Sequence, residues 1–355
     1  MDMKNSFLRL AAAGTVLAFG SVAFAWDVEH DEVAQLTAEA LPSEIRSFFT
    51  FDDFGTLMAN CHYPDWIEWA MPDGSRRSHT LAEMAESVGE EDAALLKEQG
   101  ISESIDFHGT RPRAVLLTML ARAFGRGDHA RAAFYLSVLT HPISDESALN
   151  HPTILNFVHY CHYQGVEFGT KKVEHGAKNV FGFRSDGLVV RKARERLRGY
   201  RPVAAKGGDF REQQLSACVA AVRQSSYAAE KEVAIAFGRP GAEDALADLV
   251  AMQVKAIVDV AWTCWVNRSP EAALPYDDFS ARFGRAAKQA VQELAPARQA
   301  VFADVFDARQ NPAEPKGTVA IVCEALGLRS SGAQSYVGRM VLGACGRTLR
   351  DKGYA

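Results

Sequence analysis

His141, Asp145 and His151 stand in the pattern His-x3-Asp-x5-His. On a helix the first two project from one face a turn apart, an imidazole nitrogen and a carboxylate oxygen suited to holding one cation. His151 follows at the end of that turn, placed for a neighbouring ion. Alone the pattern is only moderately specific, because a buried histidine is more often a hydrogen-bonded core residue, and Pro142 should kink or end the helix. Other donors sharpen it. Trp26 becomes the N-terminus if residues 1–25 are removed, and an α-amine of pKa about 7.7–8.0 deprotonates easily and chelates a metal together with its own carbonyl oxygen. His30 follows closely. Asp65, in His62-Tyr-Pro-Asp-Trp66, is a carboxylate at a loop-to-helix junction, and His108, in Asp106-Phe-His-Gly109, precedes a helix expected from near Ala114.

Helical periodicity dominates the elements that must carry these donors. Val33, Leu36, Ala40 and Leu41 recur on one face after His30, and Val115, Leu116, Met119, Leu120 and Ala123 do so again. A third helix is expected from Ala130 to about Thr140, and Leu246, Leu249, Val250, Val254, Ile257, Val258 and Ala261 mark a long apolar fourth. No run shows strand alternation, so the fold class is all-α, a packed bundle. Turn formers separate the helices at Met71-Pro-Asp-Gly-Ser75 and Lys206-Gly-Gly-Asp209. Residues 184–201 are basic; a phosphate-attracting patch is one reading, and a solvated helix face is the one preferred. Ser269-Pro270 and Pro275 make a break, and Asn311-Pro-Ala-Glu-Pro315 makes another. Phe283, Ala287, Val291 and Leu294 keep helical spacing beyond the first break.

The first 25 residues read as a signal peptide, with Lys4 and Arg9 before an apolar run that ends in Ala23-Phe24-Ala25. The expected domain order is 1–25 signal peptide, 26–268 catalytic domain and 269–355 helical C-terminal extension. The mature chain is expected in the periplasm or secreted, with no transmembrane segment, because no later window reads as long and apolar enough to span a bilayer. A formal charge of -5 supplies no broad basic surface and argues against stable duplex nucleic acid binding. The six cysteines lie far apart with no Cys-x-x-Cys pair, which excludes a zinc knuckle and, in an oxidising compartment, favours structural disulfides.

The segment Arg131-Ala-Ala-Phe-Tyr-Leu-Ser-Val-Leu-Thr-His141-Pro-Ile-Ser-Asp145, with His151, resembles the helix that carries the same triplet in the bacterial zinc-dependent phospholipases C and the fungal zinc-dependent single-strand nucleases. Trp26, His30, Asp65 and His108 occur in that family's order, and the resemblance spans roughly residues 26–268. It implies a helical bundle with up to three zinc ions in a cleft. Asp65, His108, His141 and Asp145 would hold the first, Trp26 and His30 another with Asp145 bridging, and His151 would begin the remaining site. For that site the family supplies His-x3-Glu or His-x3-Asp. Here His175 with Asn179 keeps the spacing but swaps in an amide, while His162 with Glu167 keeps the carboxylate and breaks the spacing; Glu167 or Glu174 could complete it.

The implied activity is hydrolysis of a phosphate ester, phospholipid or nucleotide, by metal-bound hydroxide attacking phosphorus in line, with Asp65 also able to accept a proton. The Gly-Gly-Asn motif of the nucleases is absent after the triplet, which shifts the balance toward a phospholipase C-like substrate. A single-strand nuclease or 3′-nucleotidase, and a non-catalytic periplasmic protein that kept the fold, are the alternatives.

Overall fold

The computed structural model describes residues 29–65, 85, 88–101, 107–147, 167–168, 171–172, 187–236 and 242–306. Their regular secondary structure is helical apart from one short antiparallel ladder, in which Glu167 pairs with Lys172 and Phe168 with Lys171. Two residues per strand are too few to show alternation in the sequence.

The chain opens with α1 (Glu29–Ala40) and a single turn, α2 (Ser43–Arg46), started by Pro42. Next comes α3 (Phe51–Ala59). A capping box starts it: Thr50 Oγ1 accepts from the Asp53 N–H and Asp53 accepts from the Thr50 N–H at 2.7 Å. Burial raises the Asp53 carboxyl, but hydrogen bonds from Thr50 and His129 outweigh it and hold the group below its ordinary value. After a 3-10 turn at Tyr63–Asp65 come α4 (Glu90–Glu98), α5 (Thr110–Arg126) and α6 (His129–Asp145). Gly127, at φ +73°, closes α5 in the left-handed region that favours glycine. Asp128 then caps α6 by accepting from the Arg131 N–H at 3.1 Å. Helix α5 therefore begins earlier than the periodicity suggested. Helix α6 continues through Pro142 to Asp145, so the expected break at the proline gives way to a regular turn between His141 and Asp145.

The remaining helices are α7 (Leu188–Leu197), α8 (Phe210–Ala236), α9 (Ala242–Val266) and α10 (Phe279–Phe306). Helix α9 is central, packing on α1, α5, α6, α7 and α8. Leu246, Leu249, Val250, Val254, Ile257, Val258 and Ala261 are all buried along it, each large side chain contributing about 1.5–3 kcal/mol of apolar burial. By length and composition Glu243–Val266 could cross a bilayer, which corrects the expectation that no window beyond the leader could. Most of that window is buried inside the bundle, as expected of a core helix.

Helix α7 carries the basic run. Lys192 pairs with Asp244 at 3.0 Å, Arg194 with Glu39 at 2.7 Å, and Arg196 with Asp244 and Asp248. These three cations are matched to acidic partners on α1 and α9; Arg184 lies outside the described residues.

The break after Asn267 separates two helices but not their packing. The Ser269 N–H bonds the Ala121 carbonyl at 3.3 Å, Thr118 Oγ1 donates to the Ala273 carbonyl at 2.9 Å, and Arg122 donates to the Ala272 carbonyl at 3.0 Å. Phe279 buries itself with Ala114 and Cys218, and α10 runs along α8. The expected extension is thus, over 269–306, part of the bundle.

Cys61, Cys218 and Cys264 are buried free thiols, which corrects the expectation of disulfides for these three. Burial pushes Cys218 up to about 11, far from the thiolate needed for exchange. Cys161, Cys323 and Cys345 lie outside the described residues.

Candidate metal centre

Helix α1 delivers His30, the residues before α5 deliver His108, and the last turn of α6 delivers His141 and Asp145. These four meet around the Asp145 carboxylate. His108 Nε2 and His141 Nε2 each lie 3.3 Å from Oδ2, and His30 Nε2 lies 3.5 Å from Oδ1. His30 and His141 are 1% and 0% exposed and Asp145 5%. The His108 side chain, 34% exposed, marks the side open to solvent.

The spacing is informative. An N–H···O hydrogen bond ordinarily spans about 2.7–3.2 Å. Two ligands sharing a tetrahedral zinc, with Zn–N and Zn–O near 2.0–2.2 Å, sit about 3.3–3.6 Å apart. All three imidazole–carboxylate distances fall in the second range.

The protons point the same way. His141 Nδ1 lies 2.9 Å from the Cys61 carbonyl, which can only accept, so Nδ1 carries hydrogen and donates. Ser144 Oγ lies 2.9 Å from the His141 carbonyl and 3.0 Å from His30 Nδ1; when its one proton goes to the carbonyl, it accepts from His30 Nδ1. In that tautomer both neutral rings hold Nε2 lone pairs that face the carboxylate. Such an arrangement suits a positive centre between nitrogen and carboxylate, which a proton on a ring or on Asp145, or a metal, would supply. The two rings are stacked, with centroids 3.9 Å apart and planes within 19°, a poor arrangement for two buried imidazolium ions. A divalent metal takes both lone pairs without that repulsion. The residues present fit such an ion, and their Nδ1 atoms are already held by the outer hydrogen bonds that orient imidazole ligands.

Neighbouring elements fix the cluster. Gln253 on α9 donates to the Ser144 carbonyl at 3.1 Å and to Ser147 Oγ at 2.9 Å. Arg113 on α5 donates to the His108 carbonyl at 3.2 Å and to Glu146 at 2.9 Å, tying the open side of the cluster to the end of α6. No protein-family model, curated protein or solved structure matches this chain. The chemistry of the site rests on its own donors.

Of the other expected ligands, Asp65 ends the 3-10 turn and Glu167 begins the short ladder, but their side chains lie outside the described residues. Trp26, His151, His162, Glu174, His175 and Asn179 lie outside them entirely. Beside the cluster is a second group of donors, Asp31, Cys61 and His62, which the motif reading did not assemble. Burial, and then the Asp31 charge, push the Cys61 thiol up to about 12. Ser144, Gln253 and the Cys61 carbonyl were also missed; no local spacing signals them.

A cavity of about 610 Å³ lies elsewhere, lined in part by Leu117, Ile143, Val219, Val260 and Thr263. Ile143 is two residues from both His141 and Asp145, about 200° around the helix from each. The cavity therefore faces the opposite side of α6 and contains none of the four cluster side chains.

Proposed function

We propose that this chain is an exported zinc-dependent phosphodiester hydrolase of the phospholipase C-like kind, with its metal cluster organised by Asp145. The observation that carries the reading is one carboxylate facing three imidazole nitrogens at 3.3–3.5 Å. His108 and His141 with Oδ2 would form one site; His30 with Oδ1, joined by the Trp26 amine, would form the next. The family resemblance supplies the reaction and the involvement of Asp65, His151 and the residues after it.

When bound, zinc supplies Lewis-acid stabilisation of phosphate charge and a nucleophilic water at neutral pH. The chain's own residues do the rest. The Cys61 carbonyl and Ser144 hold His141 and His30 in the tautomer that presents Nε2. Asp145 engages both sides of the cluster and sets their separation. Helices α1, α6 and α9 exclude water from the inner face, leaving the His108 side for the substrate. Asp65 is proposed to accept a proton there.

Export belongs to the same proposal, because the Trp26 amine exists only after residues 1–25 are removed. Zinc-loaded mature protein is expected to release phosphocholine from phosphatidylcholine, and Asp145→Asn to abolish release. Cleavage of single-stranded DNA or 3′-nucleotides instead would assign the nuclease branch. Inactivity on all three with zinc bound would reject the hydrolase reading.

A further inference from the structure

Asp31 follows His30 on α1, and Cys61 and His62 follow α3, so these residues border the Asp145 cluster without belonging to it. His62 Nε2 lies 3.0 Å from Asp31 Oδ1, and Cys61 Sγ donates to the same oxygen at 3.4 Å. One donor atom from each residue lies within 4.8 Å of the other two. The His62 ring sits edge-on to His30, with centroids 5.4 Å apart. Three chemically different donors, nitrogen, oxygen and sulfur, therefore converge from two elements at a partly open surface: Asp31 is 52% and His62 27% exposed, while Cys61 is buried.

We propose that Asp31, Cys61 and His62 bind a separate divalent ion of zinc-like softness, with thiolate, imidazole and carboxylate as ligands and a fourth position facing solvent. Thiolate and imidazole together select zinc over the hard cations magnesium and calcium. Without an ion the Asp31 charge opposes ionisation of Cys61; with a divalent ion in place both anions are attracted to the same centre, and the thiol proton leaves to solvent. Ligands on a tetrahedral zinc lie about 3.3–3.6 Å apart, so His62 and Asp31 at 3.0 Å must open slightly at the exposed side, while the Cys61 and His62 donor atoms lie within 4.8 Å of each other. The ordinary alternative is a surface His–Asp pair that accepts a thiol hydrogen bond and binds nothing.

The site would also have a positioning role. Cys61 turns its side chain toward Asp31 while its carbonyl accepts from His141 Nδ1. An ion tying Cys61 to α1 would hold that carbonyl against the cluster histidine.

Cobalt(II) titration of metal-free mature protein tests this independently of any activity, because only a thiolate ligand produces the near-ultraviolet sulfur-to-cobalt charge-transfer band. The wild-type protein is expected to show the band. Cys61→Ser should lose it, and His62→Ala and Asp31→Asn, both at exposed side chains, should weaken or lose it with native circular dichroism. Asp145→Asn should keep it, so that failure of the hydrolase site and failure of this one are told apart. Absence of the band in wild type, its persistence in Cys61→Ser, or its loss from folded Asp145→Asn would overturn the proposal.

Discussion

At the scale of single residues, the proposed metal cluster would depend on groups that never touch the ion. In the proposed site Ser144 Oγ fixes the tautomer of His30 by accepting from Nδ1, its own proton going to the His141 carbonyl 2.9 Å away. Ser144→Ala removes that acceptor and is expected to weaken zinc binding about 10–100-fold, read by competition with a chelator, with the helical circular dichroism unchanged. Unaltered affinity would show that His30 is not held for coordination. The pair His141 and Asp145 was legible in the sequence because one helical turn separates them. Ser144 on His30 and the Cys61 carbonyl on His141 were not, since those bonds join positions 114 and 80 residues apart. Likewise, nothing local to His108 shows that Arg113 secures its carbonyl. His30 entered the site by its closeness to Trp26 and by family order, and its facing of Asp145 is a property of how α1 packs on α6.

At the scale of elements, the long apolar helices were readable because apolar side chains recur on one face over many turns. Less legible were the short α3 and α4, the 27-residue α8 and the course of the chain after Asn267. Gly125 explains why that course could not be read. The backbone of Ser269 crosses α5 directly over Gly125, where any Cβ would collide with it. Gly125→Ala is expected to destabilise the protein by about 1–3 kcal/mol through overpacking, measured by chemical denaturation; an unchanged midpoint would mean that the crossing is loose. The segment before α8 is anchored by Asp259, whose Oδ1 accepts from Tyr200 Oη at 2.6 Å and from the Val203 N–H at 2.8 Å. Burial outweighs these bonds and holds the carboxyl above its ordinary value. The folded state therefore binds this proton more tightly than the unfolded chain. Its stabilising contribution is fully present below an unfolded pKa of about 3.9 and is lost as pH rises through the raised folded value. Asp259→Asn is expected to flatten the stability–pH curve in that window, and an identical curve would contradict the assignment.

At the scale of the whole molecule, α9 is the post around which α1, α5, α6, α7 and α8 assemble, and the histidines meet because those helices do. The bundle was foreseeable from periodicity; the site was foreseeable as a list of donors rather than as a geometry. One consequence reaches beyond the folded domain. If the Trp26 amine completes the cluster, a single methionine left in front of Trp26 should lower both zinc affinity and phosphoesterase activity, whereas equal activity in the two forms would remove the amine from the site. The most direct measurement is the zinc content, by elemental analysis, of reconstituted and dialysed protein beginning at Trp26, beside its Asp145→Asn variant. The account predicts at least two zinc ions retained per wild-type chain at the Asp145 cluster and the loss of those ions from a folded Asp145→Asn protein, which keeps at most the ion held by Asp31, Cys61 and His62. No retained zinc in wild type, or the same content in both, would contradict a metal centre built on Asp145.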